Sequence, residues 1–274
     1  MEGMASSMPL AAPYKAFERH QALLYRGAVT MLTGGPGSGK TISSLNINNR
    51  LRVPSLYISN DSTKYTIINR VFSMLTQQDM AVSKEIVESK PELARKFLAQ
   101  WAKIRFDFNS KPDIEEILHH GEAFRELFGE YPHLTTVDIL MNIDHDGVAE
   151  QNYWRLMPEL KEIAGMWNTA LLAVHHTSES AKGDPCPPMS SIMGKANQLP
   201  ELIITQAIQG NRVHYAIVKN RNGPSDPSGR TTFTLPIFPS QFRIEDDDED
   251  DLEDGQVREI VQPSDEDEKW WNNG

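Results

Sequence analysis

Residues 34–41 read Gly-Gly-Pro-Gly-Ser-Gly-Lys-Thr and stand between an apolar run, Ala28 to Thr33, and a stretch of helical character that starts at about Lys40. No other feature narrows the fold so far. Closely spaced glycines let successive backbone N–H groups turn inward around a phosphate, at the positive end of the helix that follows. The lysine then neutralises the β and γ oxygens, and the threonine hydroxyl faces Mg2+. Gly34, Gly35, Pro36, Gly37, Ser38, Gly39, Lys40 and Thr41 are therefore the expected contacts for ATP, with Thr41 also on the metal. A short buried strand feeding such a loop implies an α/β domain.

Further runs support that reading. Ser55 to Ser59, Ile104 to Phe108, Thr135 to Met141 and Ala170 to Val174 are short and apolar, as buried parallel strands are. Helical patterns cover Lys64 to Thr76, Lys84 to Ala102, Ile114 to Phe128 and Tyr153 to Trp167. From Leu202 onward the runs ELIITQAI, RVHYAIVK and RTTFTLPI follow without helices between them. They suit antiparallel strands added to one edge of a mostly parallel central sheet. The expected division is a flexible N-terminal arm over residues 1–23, with its first 13 residues small and aperiodic, an ATPase domain over 24–244 and a disordered acidic tail over 245–274.

Charge is unevenly spread along this plan. The tail holds 14 acidic residues against Arg258 and Lys269, so it carries −12 of the chain's net −11 and leaves the preceding residues at +1. An acidic total therefore does not argue against DNA, because a neutral body with local basic loops still grips a phosphate backbone. The tail ends in Trp270 and Trp271, and an acidic segment of this kind mimics nucleic acid, covering a DNA site or docking on a basic replication or recombination protein. A solubilising tail is the plainer alternative. One cysteine, Cys186, excludes an internal disulfide framework. No apolar run approaches the roughly 20 residues that span a bilayer, so no membrane partner is expected and the chain is read as cytoplasmic, in the host cytoplasm if phage-encoded.

A magnesium-nucleotide site also wants a carboxylate at the end of a neighbouring strand. Asp138, in TTVDILMNI, is in place for it, with Asp144 and Asp146 as nearby competitors in polar loop sequence. Hydrolysis needs a group that orients or deprotonates the attacking water. The position after Asp138 is Ile139, so the base is expected from another strand, and Asp61 after SLYIS-Asn60 is the best placed. His175 and His176 end the run LLAV, where one polar side chain suffices to sense the γ-phosphate. His119 and His120 read as helix surface.

These residues resemble the ATPase core of the RecA superfamily, and most closely the C-terminal ATPase domain of DnaB-type replicative helicases. GGPGSGKT and VDILMNI are similar to that family's two nucleotide motifs, SLYISND to the strand that ends in its catalytic carboxylate, and LLAVHHTSE to the strand that ends in its sensor residue. KANQLPELIIT resembles the segment after the DNA-facing loop, with Gln198 at the matching polar position, and AIVKNRNGPSDPSG resembles the family's lysine-x-arginine-x-glycine strand and hairpin. The likeness spans about residues 24–240, and similar stand-alone cores occur in phages of actinobacteria. It implies a RecA-like fold, Asp61 as base, His176 as sensor, and Lys219 and Arg221 as groups that reach the ATP site of a neighbouring subunit. It further implies a homo-oligomer, ring or filament, that moves on single-stranded DNA through the loops Asp144 to Asn152 and Thr177 to Lys195, the latter carrying Lys182. A recombinase or helicase loader acting on DNA without unwinding stays open beside the helicase, as does a nucleotide-binding switch.

Overall fold

The computed structural model describes residues 8–101, 103–144, 153, 155–178 and 186–247. A nine-stranded sheet runs through it. The strands are β1 (Val29–Gly34), β2 (Ser55–Ser59), β3 (Ile104–Asp107), β4 (Leu134–Asp138), β5 (Ala170–His176), β6 (Leu202–Gln209), β7 (Arg212–Asn220), β8 (Thr232–Phe238) and β9 (Arg243–Ile244). Their order is β3-β2-β4-β5-β1-β6-β7-β8-β9. The first six in sequence are parallel, and β7, β8 and β9 are added antiparallel beyond β6. The sheet expected from the sequence is therefore the one that forms.

Helices cover both faces: α1 (Lys15–Arg19), α2 (Lys40–Leu51), α3 (Lys64–Thr76), α4 (Met80–Ser89), α5 (Pro91–Leu98), α6 (Ile114–Phe128) and α7 (Leu156–Trp167). Every residue of β1, β2 and β4 is buried, which is why their sequences read as apolar runs without alternation. On one face Val29, Met31, Val137 and Leu171 pack with Ile117, Phe124, Leu160 and Trp167 of α6 and α7. On the other, Leu32, Ile204 and Tyr215 pack with Phe17 of α1 and Ile47 of α2. Each such side chain contributes about 1.5–3 kcal/mol when fully buried.

The helix that carries the phosphate loop is held differently. α2 buries Ser43, Ser44, Asn46 and Asn48, and each is bonded across to the sheet. Ser43 Oγ meets Tyr215 OH at 2.8 Å, and Asn48 Nδ2 donates to Thr136 Oγ1 at 2.9 Å. Asn46 accepts from Ile244 N at 3.0 Å and donates to Phe242 O at 3.0 Å. Directional bonds fix the rotation and height of a helix more narrowly than apolar packing does, because buried polar groups left unpaired are costly.

Three expectations are corrected. Residues 8–23 do not behave as an arm: Leu10, Tyr14, Phe17 and Ala22 are buried against the antiparallel half of the sheet, and Leu10 N donates to Leu24 O at 2.8 Å. The pattern read as one helix from Lys84 to Ala102 divides at Lys90, because Pro91 lacks an N–H and starts a new helix at its first position. The acidic stretch is tied down where it begins. Asp246 accepts from Lys15 N at 2.8 Å and pairs with Arg50 at 3.3 Å, and Asp247 pairs with Arg212.

The rest of the tail from Asp248, with Trp270 and Trp271, lies outside the described residues, as do Asp146 and Lys182 and with them much of the two expected central loops. Among the described residues no helix is long and apolar enough to cross a membrane.

Candidate nucleotide site

The loop 34–39 leaves the C-terminal end of β1 and returns into α2. Its turn needs glycine at Gly39, which is left-handed at φ 81° and whose missing Cβ would lie 2.7 Å from Ile208 Cδ1. At Gly34 a Cβ would meet Gln206 O and Ser38 Oγ, both at 2.5 Å. Gln206 supports the loop from below, its Nε2 donating to Ser38 O at 2.6 Å. Lys40 is buried and folds back over its own loop, donating to Gly34 O at 3.1 Å and Gly35 O at 2.9 Å. Burial lowers its pKa to about 8, against the opposing pull of Asp138 and Asp61. An ammonium resting on two carbonyls is poised to exchange them for phosphate oxygens.

β5 lies between β1 and β4, so three strand ends converge beside the loop. Asp138 closes β4, is 5% exposed, and accepts from Tyr57 OH at 2.7 Å and from the Thr41 side chain. Burial raises its pKa, and those two hydrogen bonds work against the rise. Tyr57 is itself bonded to Ser44 at 2.7 Å, which links the carboxylate to α2. Asp61 follows β2 with its carboxylate exposed, close enough to Lys40 and Asp138 to act on both electrostatically. Asn60 sets the geometry between them. Its side chain donates to Ile139 O at 2.9 Å and accepts from Ile139 N, and its backbone N–H donates to Asp138 O at 3.0 Å.

The two histidines at the end of β5 have separate surroundings. His176 is bonded to the backbone of Gly34 and lies within electrostatic reach of Lys40 and Asp61. Burial first, then the neighbouring ammonium, lowers its pKa. His175 is fully buried with its pKa lowered to about 4, chiefly by burial. It is neutral at pH 7, and its Nε2–H donates to Met193 O at 3.1 Å. His176 is thus the one of the pair turned toward the phosphate end.

Lys40, Thr41, Asp61, Asp138 and His176 come together, and Lys219 and Arg221 do not join them. β7 is antiparallel to β6, so Lys219 pairs with Ile203, which pairs in turn with Met31. Arg221 N donates to Glu201 O at 2.9 Å, and Glu201 N donates to Val29 O at 2.9 Å. Arg221 therefore stands level with Val29, at the opposite end of β1 from Gly34. At about 3.3 Å per residue that separation exceeds the reach of an arginine side chain. Its guanidinium is 48% exposed and 3.9 Å from Glu201.

Tyr57, Asn60 and Gln206 were not singled out from the sequence. Arg70 is a fourth such residue: Nη1 donates to Ser62 Oγ at 2.9 Å beside Asp61, and the guanidinium lies 4.9 Å over the Phe242 ring. The available signal was a polar residue inside an apolar run, Tyr57 in SLYIS and Gln206 in IITQAI.

The sheet order, the glycine loop and the strand-end carboxylate define the RecA-like P-loop fold of the DnaB-type ATPase domain. One solved structure, itself an isolated ATPase domain, superposes with a TM-score of 0.76 at 14% identity, over 89% of this chain and 94% of that one. A DnaB-like replicative helicase, solved in a study of its interactions with primase, gives 0.73 at 14% identity over 89% of this chain, which spans 63% of its length. The KaiC-like protein PH0186 of Pyrococcus horikoshii OT3 gives 0.57 at 12% identity, over 87% of this chain and 98% of that one.

In sequence the chain is 28% identical over 249 residues to the Gene 65 protein of Mycobacterium phage L5, covering 87% of this chain and 93% of that protein. The Gene 65 protein of Mycobacterium phage D29 is 29% identical over 232 residues, covering 80% of this chain and all of that protein. No protein-family model matches. The resemblance to DnaB-type ATPase domains thus holds at the level of the fold.

Proposed function

We propose that the chain is the motor subunit of a DNA translocase, a helicase of phage-type replication that hydrolyses ATP between copies of itself to move along single-stranded DNA. The observation that carries this reading is the position of Arg221. It stands at the far end of the sheet from its own phosphate loop, exposed, and so is suited to complete the site of an adjacent copy. A homo-oligomer, ring or filament, follows from that division.

The residues present fit a magnesium nucleotide. The glycine loop leaves room that a Cβ at Gly34 or Gly39 would fill, and a hydroxyl–carboxylate pair, Thr41 and Asp138, stands beside it. Mg2+, when held by that pair, supplies positive charge to the phosphate oxygens. Lys40 exchanges its two loop carbonyls for β and γ oxygens. Asp61, exposed at the end of β2, orients the attacking water and accepts its proton. His176 senses the γ-phosphate from the end of β5. Arg221 of one copy stabilises the charge that develops on the transferring group in the next. Exposed Lys195, with backbone amides of the segment after β5, supplies contacts to DNA phosphates that do not read sequence.

A forked duplex with a labelled strand tests the reading. Strand separation that requires ATP hydrolysis is expected. Hydrolysis stimulated by single-stranded DNA without strand separation would move the assignment to a recombinase or loader, and hydrolysis indifferent to DNA would overturn both.

A further inference from the structure

Lys219 is placed differently from Arg221 although they are two residues apart. Its ammonium donates to Asn197 O at 2.9 Å and to Gln198 O at 2.7 Å. These carbonyls end a short stretch, 189–198, built from two 3-10 turns, Met189–Ser191 and Met193–Lys195. Such turns leave backbone oxygens without partners of their own. The stretch is anchored in the core by Ile192 and Ala196, which share a cluster with Met157 and Leu160 of α7.

The other end of the stretch is fastened beside the phosphate loop. Ile192 bridges Thr177, Ser178 N donates to Ser191 O at 2.8 Å, and His175 donates to Met193 O. His175 pairs with Thr33, immediately before the loop. Near its start the stretch is also tied to the hairpin that follows Arg221, through Met189 N to Pro227 O at 2.9 Å. One short segment therefore joins the strand end at the chain's own phosphate site to the strand that carries Arg221.

We propose that residues 189–198 form a relay between the nucleotide site of one copy and the arginine it offers to the next, and that Lys219 is the clasp of this relay, a positioning residue and not a second charge acting across the interface. The inference rests on the reading of Arg221 as the group that acts in trans. An ammonium committed to two carbonyls has one proton left to donate, and reaching a neighbour's phosphate would break both bonds and free the segment. Arg221 carries no such commitment beyond a distant carboxylate. Burial and the adjacent Arg221 both lower the pKa of Lys219, consistent with a group held against its own chain.

Mixed assemblies separate the roles. Chains carrying Lys40→Ala are combined in turn with Arg221→Ala and with Lys219→Met, and DNA-stimulated ATP hydrolysis is measured. Each variant alone is expected to be slow, with Lys219→Met reduced by about tenfold, the scale of lost charge-assisted hydrogen bonds. Mixing should restore turnover to Arg221→Ala, because the Lys40→Ala copy brings an intact arginine to an intact loop. It should not restore Lys219→Met, whose defect lies within the chain that must hydrolyse.

A second readout needs no partner, DNA or nucleotide: amide exchange over residues 192–198 should be about tenfold faster in Lys219→Met, and Lys219→Arg, which keeps donors, should stay near the intact chain. Restoration of Lys219→Met by mixing, or unchanged exchange, would overturn the clasp. Failure to restore Arg221→Ala would instead overturn the trans reading, and the exchange result would still report on the clasp.

Discussion

Lys40 illustrates how one side chain fixes both an activity and its pH range. Because burial brings its pKa to about 8 before nucleotide is present, the cation that phosphates need is complete below that pH and is lost as pH rises through it. Binding phosphate stabilises the charged form, so affinity should begin to fall above about pH 8 instead of near the ordinary lysine range around 10. Fluorescent-nucleotide titrations from pH 7 to 10 check this, and affinity flat to pH 9.5 would contradict it. At Asp138, Tyr57→Phe removes a hydroxyl that favours the ionised carboxylate. Its loss is expected to raise the Mg2+ concentration for half-maximal hydrolysis by about tenfold, on the scale of 1–2 kcal/mol for a hydrogen bond to a charged group, most strongly at acidic pH. The loop and both carboxylates were legible in the sequence, since their chemistry demands those residue types beside strands. Tyr57 and Asn60 were not, because their roles depend on which strands become neighbours, and sequence periodicity carries no such information.

At the level of elements, α6 is started by a capping box between Asp113 and Glu116, with Asp113 Oδ1 accepting from Glu116 N at 2.8 Å. Asp113→Ala should cost about 1 kcal/mol of stability, read as a lowered urea midpoint with unchanged slope. Gly121 in the same helix sets two effects against each other. Alanine favours a helix interior by about 1 kcal/mol, but a Cβ here would lie 2.1 Å from Trp167 Cζ2. The buried indole cannot yield without disturbing the core, and overpacking costs about 1–3 kcal/mol, so Gly121→Ala should lower the thermal midpoint. A raised midpoint would show that the ring moves freely. Long runs such as β1 and α6 could be read from their patterns. α1, with 5 residues, and β9, with 2, are too short to show a period, and Phe17 and Ile244 owe their burial to the sheet they pack against.

The whole molecule separates what one chain supplies from what it must receive. Lys40, Thr41, Asp61, Asp138 and His176 gather at one end of the parallel strands, and Arg221 stands at the other. That division could be anticipated from the resemblance of AIVKNRNGPSDPSG to a known strand and hairpin. Its physical reason, an antiparallel β7 that reverses direction beside β6, emerges only from the register. The most direct test is ATP hydrolysis with saturating single-stranded DNA, measured against protein concentration for the intact chain and for Arg221→Ala. A site shared between copies predicts turnover per chain that rises with concentration in the intact protein and stays at least about a hundredfold lower in Arg221→Ala, while that variant still binds nucleotide. Arg221→Ala turning over at the intact rate, or turnover per chain that stays constant down to the concentration where the protein is monomeric, would contradict it.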